Sequence, residues 1–547
     1  GEGPTGVTEI VRDDQFRSTV SQSQSESHRY QQDHTITYEK SYEGGHRLTA
    51  VAGFTSLRFA SSGVSASRTD STLVVPDDSD LWYVDVINAN NVLGNGGSGG
   101  EESNAGVFGR LSYTYKDRYL FNGTIRRDGS SRFAPGNRWG TFGSVGLGWV
   151  ASEEDFFKDN IKGIDYLKIR ASWGRLGNSN GVPDNRYQVT LTTGRTAVFG
   201  ENVFTAVGPS YLADPNLRFE IIQGFDLGLD LRAFNNRYNA EINLYNKKTD
   251  GLLTSFPLQA GSPSFFTNLG EVNNKGIEVS MGWTDKIGKD LTFNVSGNFS
   301  YNKNRVVSIG NGVDFQIIGN GGVNLTNSGQ SIGYFYGFKQ VGIYQSVAEL
   351  ESIPRWPNSQ VGDIIYADLN GDGVISPLDR TYLGTPFPPY SYGMSLSLGY
   401  KGFDALIEGQ GVAGNEIYTQ RRTSNFAPLN YEANRLNAWT GPGTSNIEPI
   451  LDNSRGNNYL FSTHYLEPGD YFRLRTVQLG YTFGQDMLAK TGIQKLRLYV
   501  SGQNVQTWSK VTGYTPEAQI GSILGGGADN GVYPIPAIYS FGLNVTF

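Results

Sequence analysis

The sequence predicts an all-β chain, a transmembrane antiparallel β-barrel with long loops on one rim and short turns on the other. Three observations carry that prediction. Segments of about ten residues alternate apolar and polar side chains along most of the chain. The connections between these segments alternate long and short without a break. The closing segment is itself amphipathic, with Phe541, Leu543, Val545 and Phe547 on one side and Ser540, Gly542, Asn544 and Thr546 on the other.

Residues 1–33 read as an irregular start, polar and rich in Ser, Gln, Arg and Asp, with one irregular strand over 7–20 and loop around it. The barrel portion is read over 34–547. Alternation begins at 34–41, where Ile36, Tyr38 and Lys40 oppose Thr35, Thr37 and Glu39, and it resumes at 47–59 after a Glu43-Gly44-Gly45 turn. The stretch 61–104, dense in Ser, Asp, Asn and Gly, reads as a long loop. Four strands follow within 105–177. Val107, Leu111, Tyr113 and Tyr115 share a face in the first, Tyr119, Phe121 and Ile125 in the second, Val145, Leu147 and Trp149 in the third, and Leu167, Ile169, Ala171 and Trp173 in the fourth. The opposite faces carry residues such as Ser112, Asn122, Ser144, Lys168 and Arg170. A period of two sends successive side chains to opposite faces of a strand. One greasy face and one polar face, repeated along a whole chain, describe a barrel with lipid outside and polar groups inside.

The pattern continues at 219–231, 238–245, 276–283, 291–301, 390–400, 403–411, 471–483, 495–505 and 535–547, giving about 15 strands and a sixteenth if the start contributes one. Long connections at 61–104, 127–137, 178–218, 246–270, 302–388, 412–469 and 506–534 alternate with short ones, such as 116–118, 233–237 and 401–402. Long extracellular loops and short periplasmic turns are the rule for outer-membrane barrels. An aromatic terminal residue on an amphipathic last strand resembles the end signal of proteins inserted into that membrane.

Composition narrows the function classes. Only 38% of the residues are hydrophobic and no run of about 18 apolar residues exists, which excludes a transmembrane helix but not barrel strands. There is no Cys, so Cys-ligated metals and disulfides are out. A net charge of −7 offers no basic patch for nucleic acid. The four His, at 28, 34, 46 and 464, form no catalytic cluster, and no enzyme is expected. The opening GEGPTGVTEI has neither a basic region nor an apolar core, so no leader is read there.

One stretch carries recognisable chemistry. Asp368, Asn370 and Asp372 occupy positions 1, 3 and 5 of an EF-hand-type loop over 368–379. Gly373 allows the sharp turn, the Val374 carbonyl and Ser376 supply positions 7 and 9, and Asp379 stands at position 12. An all-oxygen set of this kind selects Ca²⁺, here as a structural ion inside the extracellular insert 302–388. The same residue types also build Asx-rich turns without metal. Among other loop residues, Trp82, Tyr83, Trp356, Trp439 and Tyr459 could stack on substrate or serve packing, and Arg126, Arg127, Asp128 and Arg132 could hold a loop.

The blocks RYLFNGTIRRDGSSRFAPGNRWGTFGSVGLGWVASEEDFFK at 118–158, YLKIRASWGRLGN at 166–178, YFYGFKQVGIYQS at 334–346 and GDIIYADLNGDGVISPLDRTYLGTPFPPYSYGMSLSLGYKGFDA at 362–405 resemble SusC/RagA-type TonB-dependent outer-membrane transporters. So does the terminal IYSFGLNVTF. The resemblance implies a barrel of about 22 strands in the Gram-negative outer membrane, in contact with lipid and lipopolysaccharide. It further implies an internal plug, a TonB box, a SusD-like surface lipoprotein, and TonB-driven import of oligosaccharides or peptides. No plug or TonB box is read ahead of residue 34, so TonB would act through segments outside these residues. About six strands of the implied pattern are also wanting. Their wall is expected from outside this stretch, rather than from closure at about 16 strands. The alternative is a passive porin or structural barrel without a plug.

Overall fold

The structure is a computed structural model. It describes residues 18–70, 83, 92–182, 186–189, 191–200, 202–257, 264–310, 317–422, 432–452, 454–489, 492–518 and 521–547. Fifteen strands form one sheet in strict chain order. They are β1 (Ser18–Tyr42), β2 (His46–Asp70), β3 (Val92–Tyr115), β4 (Tyr119–Ser130), β5 (Trp139–Val150), β6 (Ile164–Asn178), β7 (Glu220–Ala233) and β8 (Tyr238–Asp250). There follow β9 (Glu271–Ile287), β10 (Leu291–Ser308), β11 (Tyr390–Tyr400), β12 (Phe403–Ala413), β13 (Tyr471–Thr482), β14 (Lys495–Ser509) and β15 (Ile538–Thr546). Each pairs antiparallel with the next. Among the described residues no helix is long and apolar enough to cross a membrane.

The register aligns the apolar parity across strands. Leu147 lies opposite Ala171, which lies opposite Leu227, then Leu244, Ile277, Tyr301 and Tyr390. Side chains on this face are exposed rather than packed: Leu147 is 59% exposed, Ile125 63% and Phe541 73%. A continuous exposed apolar face would be a liability in water and suits contact with lipid. Short turns close one rim. Lys401 and Gly402, at φ 45° and 89°, make the two-residue turn between β11 and β12, whose left-handed backbone matches the strand twist.

The alternation of long and short connections holds at every position read from the sequence. The boundaries differ where both faces are wet. β1 begins at Ser18, not near 34, and the expected loop over 61–104 is largely strand, because β2 runs to Asp70 and β3 starts at Val92. Beyond the lipid band nothing demands an apolar face, so Ser- and Gly-rich segments keep the backbone ladder without the alternation that would reveal it. The connection 179–219 likewise holds a two-stranded ribbon, Leu191–Phe199 with Asn202–Pro209. Most of the irregular strand expected over 7–20 lies outside the described residues.

Two edges remain. β1 pairs only with β2 and β15 only with β14. β1 ends at a short turn and β15 follows a long connection, so both run toward the short-turn rim. They could meet each other only in parallel, so an antiparallel wall closes only with an odd number of strands between them.

The hydrophobic cores sit in the long connections. Phe338, Ile343, Ile364, Tyr366 and Ile375 form one, flanked by Trp356, Trp439 and Leu460. Val323, Phe335, Tyr418, Tyr465 and Ala528 form a second, drawn from three connections. A third, Phe133, Phe142, Val182, Leu217 and Phe219, ties the β4–β5 and β6–β7 connections together. The long-loop rim therefore carries a folded platform built from 309–389, 414–470 and 510–537.

Candidate functional site: inner wall and outer platform

The face opposite the lipid row is polar, as alternation requires. Arg170 donates from Nε to Asp230 at 3.1 Å and from Nη2 to Glu241 at 2.6 Å, and Lys168 Nζ lies 3.2 Å from Asp230. These residues, with Asp226 and Glu278, line a cavity of about 620 Å³. Nearer the long-loop rim a second cavity of about 1060 Å³ is lined by Asn298, Ser391, Glu408, Gln410, Arg475 and Gln503. Such a wall can hydrogen-bond a polar solute along its length.

Above it, charges buried between loops lock the platform. Glu467 accepts from Arg422 Nη2 at 2.6 Å, and from the Thr512 backbone N–H at 2.9 Å and hydroxyl at 2.7 Å. Arg422 also reaches Glu432 at 2.9 Å, and Arg421 pairs with Asp529. The insert 309–389 is tied in by Gln340 donating to the Ile447 carbonyl at 2.8 Å and by the Ile343 N–H donating to Asn446 at 3.1 Å. His464 packs within this network. Burial, then the charges of Arg435 and Arg422, push its pKa down to about 3. Its Nε2 stands 3.6 Å from Glu448, beyond hydrogen-bond reach, so that carboxylate does not hold a proton on the ring.

The loop 368–379 is closed by its own side chains. Asp368 accepts from the N–H groups of Gly371 (2.7 Å) and Gly373 (2.9 Å), one on each carboxylate oxygen. Asp372 accepts from Val374 N–H at 2.9 Å, and Asn370 Nδ2 donates to Asp372 at 2.8 Å. Asp379 is fully buried. It accepts from Leu369 and Ser376 N–H at 2.9 and 2.8 Å, in a reciprocal cap with Ser376. Burial raises its pKa, but the Ser376, Leu369 and Asn370 N–H groups outweigh that and hold it below the usual carboxylate value. Val374 is exposed, while Ile375 pins the loop to the platform core. Among the described residues no group of three or more His, Cys, Asp or Glu is arranged to hold a metal. Each of these carboxylate oxygens keeps a lone pair beyond its backbone bonds, so the donor set is compatible with a hard cation.

The loop aromatics divide. Trp356 and Trp439 pack into the platform core, and Trp439 Nε1 donates to Gln345 at 3.1 Å. Tyr83 is exposed, and Trp82 lies outside the described residues. Arg126 pairs with Asp128 at 2.6 Å and Arg132 with Glu102 at 2.7 Å, so both hold loop and strand ends. The ion pairs of the platform were not read from the sequence; Arg421-Arg422 and Glu467 lie far apart in it and carry no local motif.

A sheet with a lipid-facing apolar side, a polar inner side and folded long loops on one rim defines an outer-membrane β-barrel. The family model described as "TonB dependent receptor-like, beta-barrel" matches residues 5–505, and the chain belongs to that family. It is 32% identical over 532 residues to TonB-dependent receptor P3 of Formosa agariphila, a match covering 94% of this chain and 52% of that protein. It is 29% identical over 459 residues to the TonB-dependent receptor SusC of Bacteroides thetaiotaomicron, covering 80% of this chain and 43% of that protein. Among solved structures, that of the RagAB peptide transporter superposes with a TM-score of 0.79 at 22% identity, over 97% of this chain and 56% of that one. The last match is one of fold. The chain spans about half the length of the curated relatives it matches.

Proposed function

We propose that this chain is the greater part of the barrel of an active outer-membrane importer. It takes up oligosaccharides or peptides with TonB-supplied energy and works with a SusD-like surface lipoprotein. The observation that carries the reading is the folded platform. Three long connections share hydrophobic cores and buried ion pairs directly above a polar inner wall. A passive pore needs the wall but not a rigid built surface at its mouth, whereas a transporter that receives cargo from a partner needs both. Membership of the TonB-dependent receptor family and likeness to SusC support the same reading. The chemistry required is binding and passage, so no enzyme activity is assigned.

The test is uptake by cells carrying the whole gene. Labelled oligosaccharide or peptide should accumulate, and accumulation should collapse when a protonophore removes the proton gradient. Uptake that persists without the gradient would establish the porin reading instead. Within the platform, we infer that the loop 368–379 takes Ca²⁺ as a structural ion through Asp368, Asn370, Asp372, the Val374 carbonyl, Ser376 and Asp379. Calorimetric titration of chelator-treated protein should show binding that is lost in the Asp368→Ala, Asp372→Ala double variant; heat identical in both proteins would remove the ion and leave an Asx-turn loop.

A further inference from the structure

The inner wall of β11–β14 is irregular at one height. On β13, Leu474 pairs with Gly409 and Thr476 with Glu408, which leaves Arg475 as an extra residue without a partner on β12. On the other side Leu474 pairs with Gln506 and Thr476 with Gln503, so Asn504 and Val505 are displaced from the β14 ladder at the same level. Asn504 adopts φ 51°, in the left-handed region that Asn tolerates better than most residues. Adjacent bulges of this kind re-aim side chains. Here the effect is specific. Arg475 and Thr476 both point inward, while Val477 and Leu479 below return to the lipid row beside Ile407 and Val500. Arg475 Nη1 donates to Gln410 Oε1 at 2.8 Å across the cavity wall.

The chemistry around this pair is uniform. The inward positions are Ser280, Ser296, Asn298, Ser391, Gln503 and Asn504, with one acid, Glu408, to balance Arg475. Formal charge cancels. Amides and hydroxyls that both donate and accept match a ligand whose own groups do the same, and a planar amide or guanidinium meets two neighbouring hydroxyls with parallel hydrogen bonds. A peptide of mixed sequence would instead require apolar pockets or unpaired charges, which these inward positions do not supply. β11 and β13 both enter from the long connections, so the site lies just beneath the platform, where a solute from outside meets the wall first.

We propose that this inner surface is a binding site for neutral oligosaccharides, with Gln410 and Arg475 as its specificity-determining pair. This rests on the importer reading and narrows its cargo at one place in the path. The experiment uses the full-length protein in detergent, with neutral glucose hexasaccharides of α-1,4, β-1,4 and β-1,3 linkage as probes. An uncharged hexapeptide and a hexauronate are run in parallel, and binding is read by isothermal titration. At least one neutral hexasaccharide should bind. Gln410→Ala and Arg475→Gln should each weaken it about tenfold, the loss of one ligand hydrogen bond, at unchanged thermal midpoint. Three results would overturn the proposal: no hexasaccharide bound, binding indifferent to both substitutions, or stronger binding of the peptide or hexauronate that these substitutions weaken. Gradient-dependent uptake by cells would still stand in each of those cases, so failure here is separable from failure of the importer reading.

Discussion

Removing the Asp363 carboxylate should loosen the platform and leave the barrel wall untouched. Asp363 is fully buried, and its oxygens accept four bonds. Asn458 Nδ2 at 3.0 Å and Arg455 Nη1 at 3.1 Å meet one oxygen; Gln360 N–H at 2.7 Å and Asn457 Nδ2 at 3.0 Å meet the other. These bonds join the insert 309–389 to the connection 414–470. Asp363→Ala leaves three neutral donors unpaired, at about 1–3 kcal/mol each when buried. Arg455 keeps Asp452 at 3.1 Å and some contact with water, so its charge is not stranded. Orphaned donors in one network do not add fully, and breaking a buried charged contact costs about 3–5 kcal/mol, so a loss of about 4 kcal/mol is expected. If local opening governs exchange, that loss speeds amide exchange about a thousandfold. Hydrogen exchange read by mass spectrometry should show it in peptides covering 340–346 and 457–465. Peptides from β6 and β14 serve as the internal reference. Asp363→Asn should fall between, because its amide turns a second donor toward two existing ones. Exchange in the Ala variant within about threefold of the parent at 340–346, a shift of under 1 kcal/mol, would refute the view that this carboxylate joins the two connections.

Two other perturbations follow from the same structure. Since the folded state holds His464 near pKa 3 against an ordinary value of 6.5, the platform keeps its full stability above about pH 6.5 and loses it as pH falls toward 3, by at most about 1.4 kcal/mol per pH unit from this group. Exchange at 457–465 should therefore accelerate in acid, and His464→Gln should flatten that dependence; an unchanged acid slope in the variant would assign it to carboxylates. On the lipid face, Leu147→Arg should cost about 2–4 kcal/mol, because it lies mid-strand in the apolar row. Heat-modifiable gel mobility of the assembled barrel should fall, whereas Ser144→Arg on the opposite face should leave it intact.

What the sequence shows of this fold is set by where lipid imposes a constraint. Between the rims every second residue must be apolar, so Leu147, Ala171, Leu227 and Leu244 stand in readable alternation and the strands from β4 to β15 fall close to where the pattern puts them. Above the rim the constraint disappears, and the pairing of Gln24 with Val64 and of Ser65 with Gly96 leaves no periodic trace. The platform is illegible for another reason. Its cores take Phe335, Tyr418, Tyr465 and Ala528 from separate connections, so no window of sequence holds enough of one core to show it. The loop 368–379 is the exception, because its bonds are all local and its Asp and Gly spacing announces them. The inner site at Arg475 is hidden by the alternation itself. Odd positions lead inward above the bulge and outward below it, so a single parity run through 471–483 assigns one half of β13 to the wrong face. A break in parity at a charged residue is thus the signal a sequence reading can look for, since a bulge is the inexpensive way to keep an arginine out of lipid while the strand continues.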